Sequence, residues 1–83
     1  MRNTEDFKNV LNAKPNCILG KNGITLEFLT HISQLLKNYK IIKIKVLKAI
    51  ATHNNMRDLA NRISNETGSH ILDIRGKIII ISK

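Results

Sequence analysis

The sequence predicts an α+β fold, a two-layer α/β sandwich in which helices pack on a four-stranded mixed sheet. Three observations predict it. Apolar residues recur with a helical period in three segments, they alternate or run unbroken in four short strand-like segments, and the two kinds interleave as α-β-α-β-α-β-β.

Phe7, Val10 and Leu11 are spaced for a short first helix, which Lys14-Pro15 closes because a residue preceding proline is driven out of the helical region. Asn16-Cys17-Ile18-Leu19 reads as a brief strand that stops at Gly20-Lys21-Asn22-Gly23. Phe28, Ile32, Leu35, Leu36 and Tyr39 then form one stripe of a second helix, with Thr25 as its N-cap and Ile24 placed to staple onto Leu29. From Ile41 to Leu47 the period falls to two. Ile42, Ile44 and Val46 face a core and Lys43 and Lys45 face the other way, towards a wet surface. Asn54 or Asn55 caps a third helix carrying Met56, Leu59, Ala60 and Ile63 on one side, and Gly68 ends it in the left-handed position. Ser69 to Ile74 and Lys77 to Ser82 are strands joined through Arg75-Gly76 as an antiparallel hairpin.

The unbroken run Ile78-Ile79-Ile80-Ile81 suits a central strand shielded on both faces. Two right-handed crossovers followed by a hairpin, with the fourth strand between the second and third, give the sheet order 1-2-4-3.

Eighty-three residues suffice for one self-sufficient domain over 1–83, and 42% hydrophobic residues with a single proline mark it as packed, not disordered. Fourteen Lys and Arg against six Asp and Glu leave a net charge of +8, which favours polyanionic partners. The imbalance is concentrated in two acid-free intervals. One, between Glu27 and Asp58, holds Lys37, Lys40, Lys43, Lys45, Lys48 and Arg57; the other, from Phe7 to Leu26, holds Lys8, Lys14 and Lys21. Cys17 is the single cysteine and is expected as a small buried residue in a reducing compartment. With no apolar signal-like stretch near Met1 and no apolar run of about 20 residues, a cytoplasmic location without membrane attachment is expected.

Gly20-x-x-Gly23 is the one local pattern with chemistry in it. Glycine at both ends lets a phosphate chain come close to main-chain N–H groups, the helix start behind it adds partial positive charge, and Lys21 adds a full one. It is not a nucleotide P-loop, because the glycine required five residues before Gly20 is replaced by Pro15.

The sequence around this loop, Lys14-Pro15 followed by Ile18-Leu19-Gly20-Lys21-Asn22-Gly23-Ile24-Thr25, resembles the signature of the CRM family (chloroplast RNA splicing and ribosome maturation; YhbY-like). Ile42-Lys43-Ile44-Lys45-Val46, Leu59-Ala60, Thr67-Gly68 and Asp73-Ile74-Arg75-Gly76-Lys77-Ile78 follow in the family's order, so the resemblance runs from about Phe7 to Lys83. It implies a fold like the C-terminal domain of translation initiation factor three and RNA binding without catalysis. The implied partners are ribosomal RNA or a pre-ribosomal particle of the large subunit, or intron RNA as in plant relatives. By position, Gly20, Lys21, Asn22 and Gly23 match the family's RNA-contacting loop, Lys14 the basic residue before its proline, and Lys77 lies near the basic residue after its hairpin glycine. Lys43, Lys45 and Arg75 extend this set by charge. The first helix is shorter and less basic than in the family, and its final Tyr-Arg is Ser82-Lys83 here, which removes an aromatic.

Other chemistries find little support. His31, His53, His70 and Cys17 lack metal-ligand spacing; Asp58 and Glu66 are too far apart along one helix for a carboxylate pair; Ser33, Ser64 and Ser69 have no evident base. No enzyme activity, cofactor, metal or small-molecule substrate is expected, and the protein is expected to be a monomer. The aromatics, 4% of the chain, are assigned to helix faces, so base-stacking platforms are not expected. The competing reading is a basic interaction subunit that docks on an acidic protein or a ribonucleoprotein partner.

Overall fold

The structure, a computed structural model, describes residues 14–50 and 55–83. The expected first helix with Phe7, Val10 and Leu11, and the capping candidate Asn54, lie outside the described residues. The elements are β1 (Cys17–Leu19), α1 (Leu26–Asn38), β2 (Ile41–Val46), α2 (Met56–Thr67), β3 (His70–Arg75) and β4 (Ile78–Ser82). The sheet is four-stranded in the order β1-β2-β4-β3, as the sequence predicts. β1 and β2 are parallel, and β4 is antiparallel to both β2 and β3.

The strand register separates two faces. Cys17, Ile44, Ile79 and Ile74 lie in one row across the sheet, and Ile42, Ile81 and Ile71 in another. These rows meet Ile32 and Leu36 of α1 and Met56, Ala60 and Ile63 of α2 to form the core. On the opposite face, Ile18, Lys45, Ile78 and Arg75 share a row, and Lys43, Ile80 and Asp73 share the next.

The lysines stand on the face the alternation predicts, but that face is not wet throughout. Ile80 is 0% exposed and Ile41 8%, and Lys43 is itself half-buried. Lys43 is opposite Ile80 in the strand register, so its aliphatic stem lies along that side chain. The shielding of β4 on both faces follows: Ile79, Ile80 and Ile81 are all fully buried.

At the start of α1, Thr25 adopts extended backbone angles and its Oγ1 accepts from the Phe28 N–H at 3.1 Å. The far end corrects the sequence reading. Tyr39 is not on the core stripe: it caps the helix with an extended backbone (φ −127°), its N–H donates to the Leu35 carbonyl, and it is 51% exposed. Leaving the helical geometry one residue early turns its side chain out of the 3.6-residue progression that buries Leu36.

Asn55 occupies the N-cap position of α2, yet its side chain makes no capping bond; its Nδ2 donates instead to the Ile50 carbonyl at 2.7 Å. Gly68 ends α2 in the left-handed region (φ 67°). Ser64 Oγ donates to the Ser69 carbonyl and Thr67 Oγ1 to the Ile63 carbonyl, so the hydroxyls near this buried turn are satisfied.

Candidate nucleic-acid interface

Parallel pairing brings the carboxyl ends of β1 and β2 to the same edge of the sheet. There the Leu47 N–H donates to the Leu19 carbonyl at 3.1 Å, so Gly20 and Lys48 leave the sheet side by side. The Val46 N–H donates to the Lys77 carbonyl at 2.8 Å, which fixes the β3–β4 turn against the end of β2. One rim therefore carries the Gly20–Gly23 loop, Lys48, Lys77 and Arg75, with Lys45 just inside it on β2. Across three strand spacings the rim is about 14 Å wide. Ligands of open α/β sheets settle outside the carboxyl ends of parallel strands, and this rim is that place.

The loop is a tight turn closed by the Gly23 N–H donating to the Gly20 carbonyl at 3.0 Å. Gly23 has φ 75°, a conformation that side-chain-bearing residues rarely adopt, whereas Gly20 lies outside the left-handed region. No atom lies within 4 Å of where a Cβ would stand at Gly20, so the fold itself does not demand glycine there. Lys21 and Asn22 are exposed at the tip, and α1 begins immediately beyond with its amino end directed at the same rim.

The remaining candidates are distributed unevenly. Lys14 is exposed but stands at the other end of β1, where Asn16 pairs with Lys43 through its own N–H at 2.8 Å and its Oδ1 at 2.9 Å. Lys43 is half-buried in mid-strand beside Ile80. Arg75 forms an ion pair with Asp73, and the guanidinium holds the Asp73 carboxyl below the usual carboxylate range, with the Ile74 N–H acting in the same direction. Its charge on the rim is thus offset by a carboxylate.

Lys48 belongs to the basic tract between Glu27 and Asp58, and nothing in the sequence marks it as a contact. Its place beside the glycine loop follows only from the pairing of β1 with β2, which no local pattern encodes.

Cys17 is buried as expected, and burial pushes its thiol up. Its Sγ lies 3.6 Å from Nδ1 of His31, which is exposed on α1. Among the described residues, no three His, Cys, Asp or Glu side chains gather as a metal site would require, and no helix is long and apolar enough to cross a membrane.

A family model for the CRS1/YhbY (CRM) domain matches residues 7–83. The chain belongs to the CRM domain family. A solved relative agrees with this: the solution structure of a hypothetical Staphylococcus aureus protein, put forward as an RNA binder, is 26% identical to the chain. The likeness covers 96% of this chain and 81% of that one, with a TM-score of 0.79. In this CRM domain the Gly20–Gly23 turn is the corner from which the basic rim extends to Lys77.

Proposed function

We propose that this CRM domain binds structured RNA through the rim, acting in the cytoplasm as a monomeric assembly factor on a large-subunit ribosomal precursor or a comparable maturing RNA. The observation that carries this reading is the convergence of the glycine loop, Lys48 and Lys77 at the carboxyl end of the parallel strands. Because the Gly23 N–H is engaged within the turn, the main-chain donors that meet phosphate are those of Lys21 and Asn22, with the Lys21 ammonium beside them. Contacts of this kind fix position without reading sequence.

The test is the double substitution Lys21→Asp/Asn22→Asp, set beside Lys37→Asp in the exposed last turn of α1, at the opposite end of the molecule. Loss of at least one contact per site, about 1 kcal/mol or more each, lowers affinity for a ribosomal RNA fragment at least tenfold, and further at low salt. Lys37→Asp loses less, and the double variant melts with the wild type. Equal losses from both proteins would assign binding to diffuse charge and reject the rim.

A further inference from the structure

The outward face of α1 carries a feature that phosphate binding does not use. Leu26, Glu27, Thr30, His31 and Gln34 line an open groove of about 450 Å³ that begins just behind the glycine loop. Leu26 is 80% exposed, and none of the described helices or strands lies over it. The stretch from Asn22 to Leu36 contains no Lys or Arg, although the chain as a whole carries a net charge of +8. Among the described residues the groove is lined by no cation and carries the Glu27 carboxylate on its wall, a lining unsuited to a phosphate backbone.

Its chemistry suits base edges. Glu27 offers acceptors only. Thr30 directs its hydroxyl proton to the Leu26 carbonyl at 2.9 Å, which leaves its oxygen lone pairs facing outward. Gln34 can both donate and accept. His31, whose Nδ1 lies 3.6 Å from the Cys17 Sγ, lines the groove, and imidazole is among the side chains on which bases stack. Leu26 supplies an apolar floor. From Leu26 to Gln34 the helix rises about 12 Å, room for at least two bases at about 3.4 Å each.

We propose that this groove receives the bases of a single-stranded RNA segment whose phosphates rest on the glycine loop, with a preference for bases that carry an exocyclic amine. The inference rests on the RNA-binding reading above and adds to it the part of the site that reads sequence. Two acceptors, Glu27 and Thr30, favour the cytosine N4 amine over the uracil O4 carbonyl, which would face them with lone pairs on both sides.

The experiment uses one RNA hairpin in four forms: without a tail, and with single-stranded tails of eight cytidines, eight uridines or eight abasic ribose phosphates. The wild type is expected to bind the cytidine tail at least threefold more tightly than the uridine tail, and both more tightly than the abasic one. Glu27→Ala/Thr30→Ala, two exposed positions, is expected to bring the cytidine-to-uridine ratio close to one. A second variant, Leu26→Ala, is expected to narrow the gap between base-bearing and abasic tails. Equal affinity for all three tails in the wild type, or a ratio that persists in the double variant, would overturn the groove while leaving the phosphate-binding rim standing. Failure of the wild type to bind any of the four RNAs at low salt would overturn both.

Discussion

The main-chain N–H of Val46 and the carbonyl of Lys77, 2.8 Å apart, join the end of β2 to the β3–β4 turn. This bond involves backbone alone, so the Lys77 side chain can be removed without unpinning the turn. Lys77→Ala and Lys48→Ala are therefore expected to keep the wild-type melting temperature and to report charge only. If about four phosphates are neutralised by the intact rim, log K falls with log salt at a slope of roughly −3 to −4, and each alanine reduces that slope by about one. Salt titrations of the three proteins check this, and a wild-type slope near zero would reject the rim.

The two loop glycines are expected to behave differently. Gly23→Ala forces a side chain into a left-handed backbone (φ 75°) and costs about 1 kcal/mol, a fall in Tm of roughly 4–8 °C for a domain of this size. Gly20→Ala meets no neighbour within 4 Å and leaves Tm unchanged. Its effect appears in RNA affinity, because the added methyl stands where a phosphate approaches the main chain. Thermal melts and binding curves on both variants separate a glycine the fold needs from one the ligand needs.

Asp73 links stability to pH. Its carboxyl is held below the ordinary range by Arg75, so its contribution is present above the unfolded value of about 4 and is lost as pH falls through the lower folded value. The stability difference between wild type and Asp73→Asn is therefore expected to shrink below about pH 4, and to be small at neutral pH because both partners are solvent-accessible. The same substitution removes the carboxylate that offsets Arg75 on the rim, so RNA binding at low salt is expected to tighten and its salt slope to steepen.

Ile79 is fully buried on the helix face of the central strand, in one row with Ile44 and Ile74. Ile79→Ala is expected to cost about 2–5 kcal/mol, a large share of the stability of a small domain. Chemical denaturation measures it.

The fold was legible where one local signal determined it. Four consecutive isoleucines placed β4 between β2 and β3, Thr25 marked the start of α1, and Gly68 marked the end of α2. Periodicity places Tyr39 on the core stripe because it continues past the point where the backbone turns extended; the helix ends at Asn38 and the aromatic faces solvent. Of the candidate site, the glycine loop and Lys77 could be read as basic or phosphate-binding positions. Their convergence with Lys48, and the separation of Lys14 from them, depend on which strand ends meet, and that is decided by pairing across the sheet. No local pattern marks the groove on α1: Leu26 lies off the helix's apolar stripe, and its 80% exposure is visible only in the fold.

Lys83 leaves the end of β4 with its N–H bonded to the Lys40 carbonyl at 3.0 Å, at the edge of the sheet opposite the glycine loop. Five strand residues separate that point from the 76–77 turn, about 17 Å of extended chain. A fluorescent label or a biotin tether attached beyond Lys83 thus projects away from the basic rim, so the protein can be anchored to a sensor surface with that rim turned to solution.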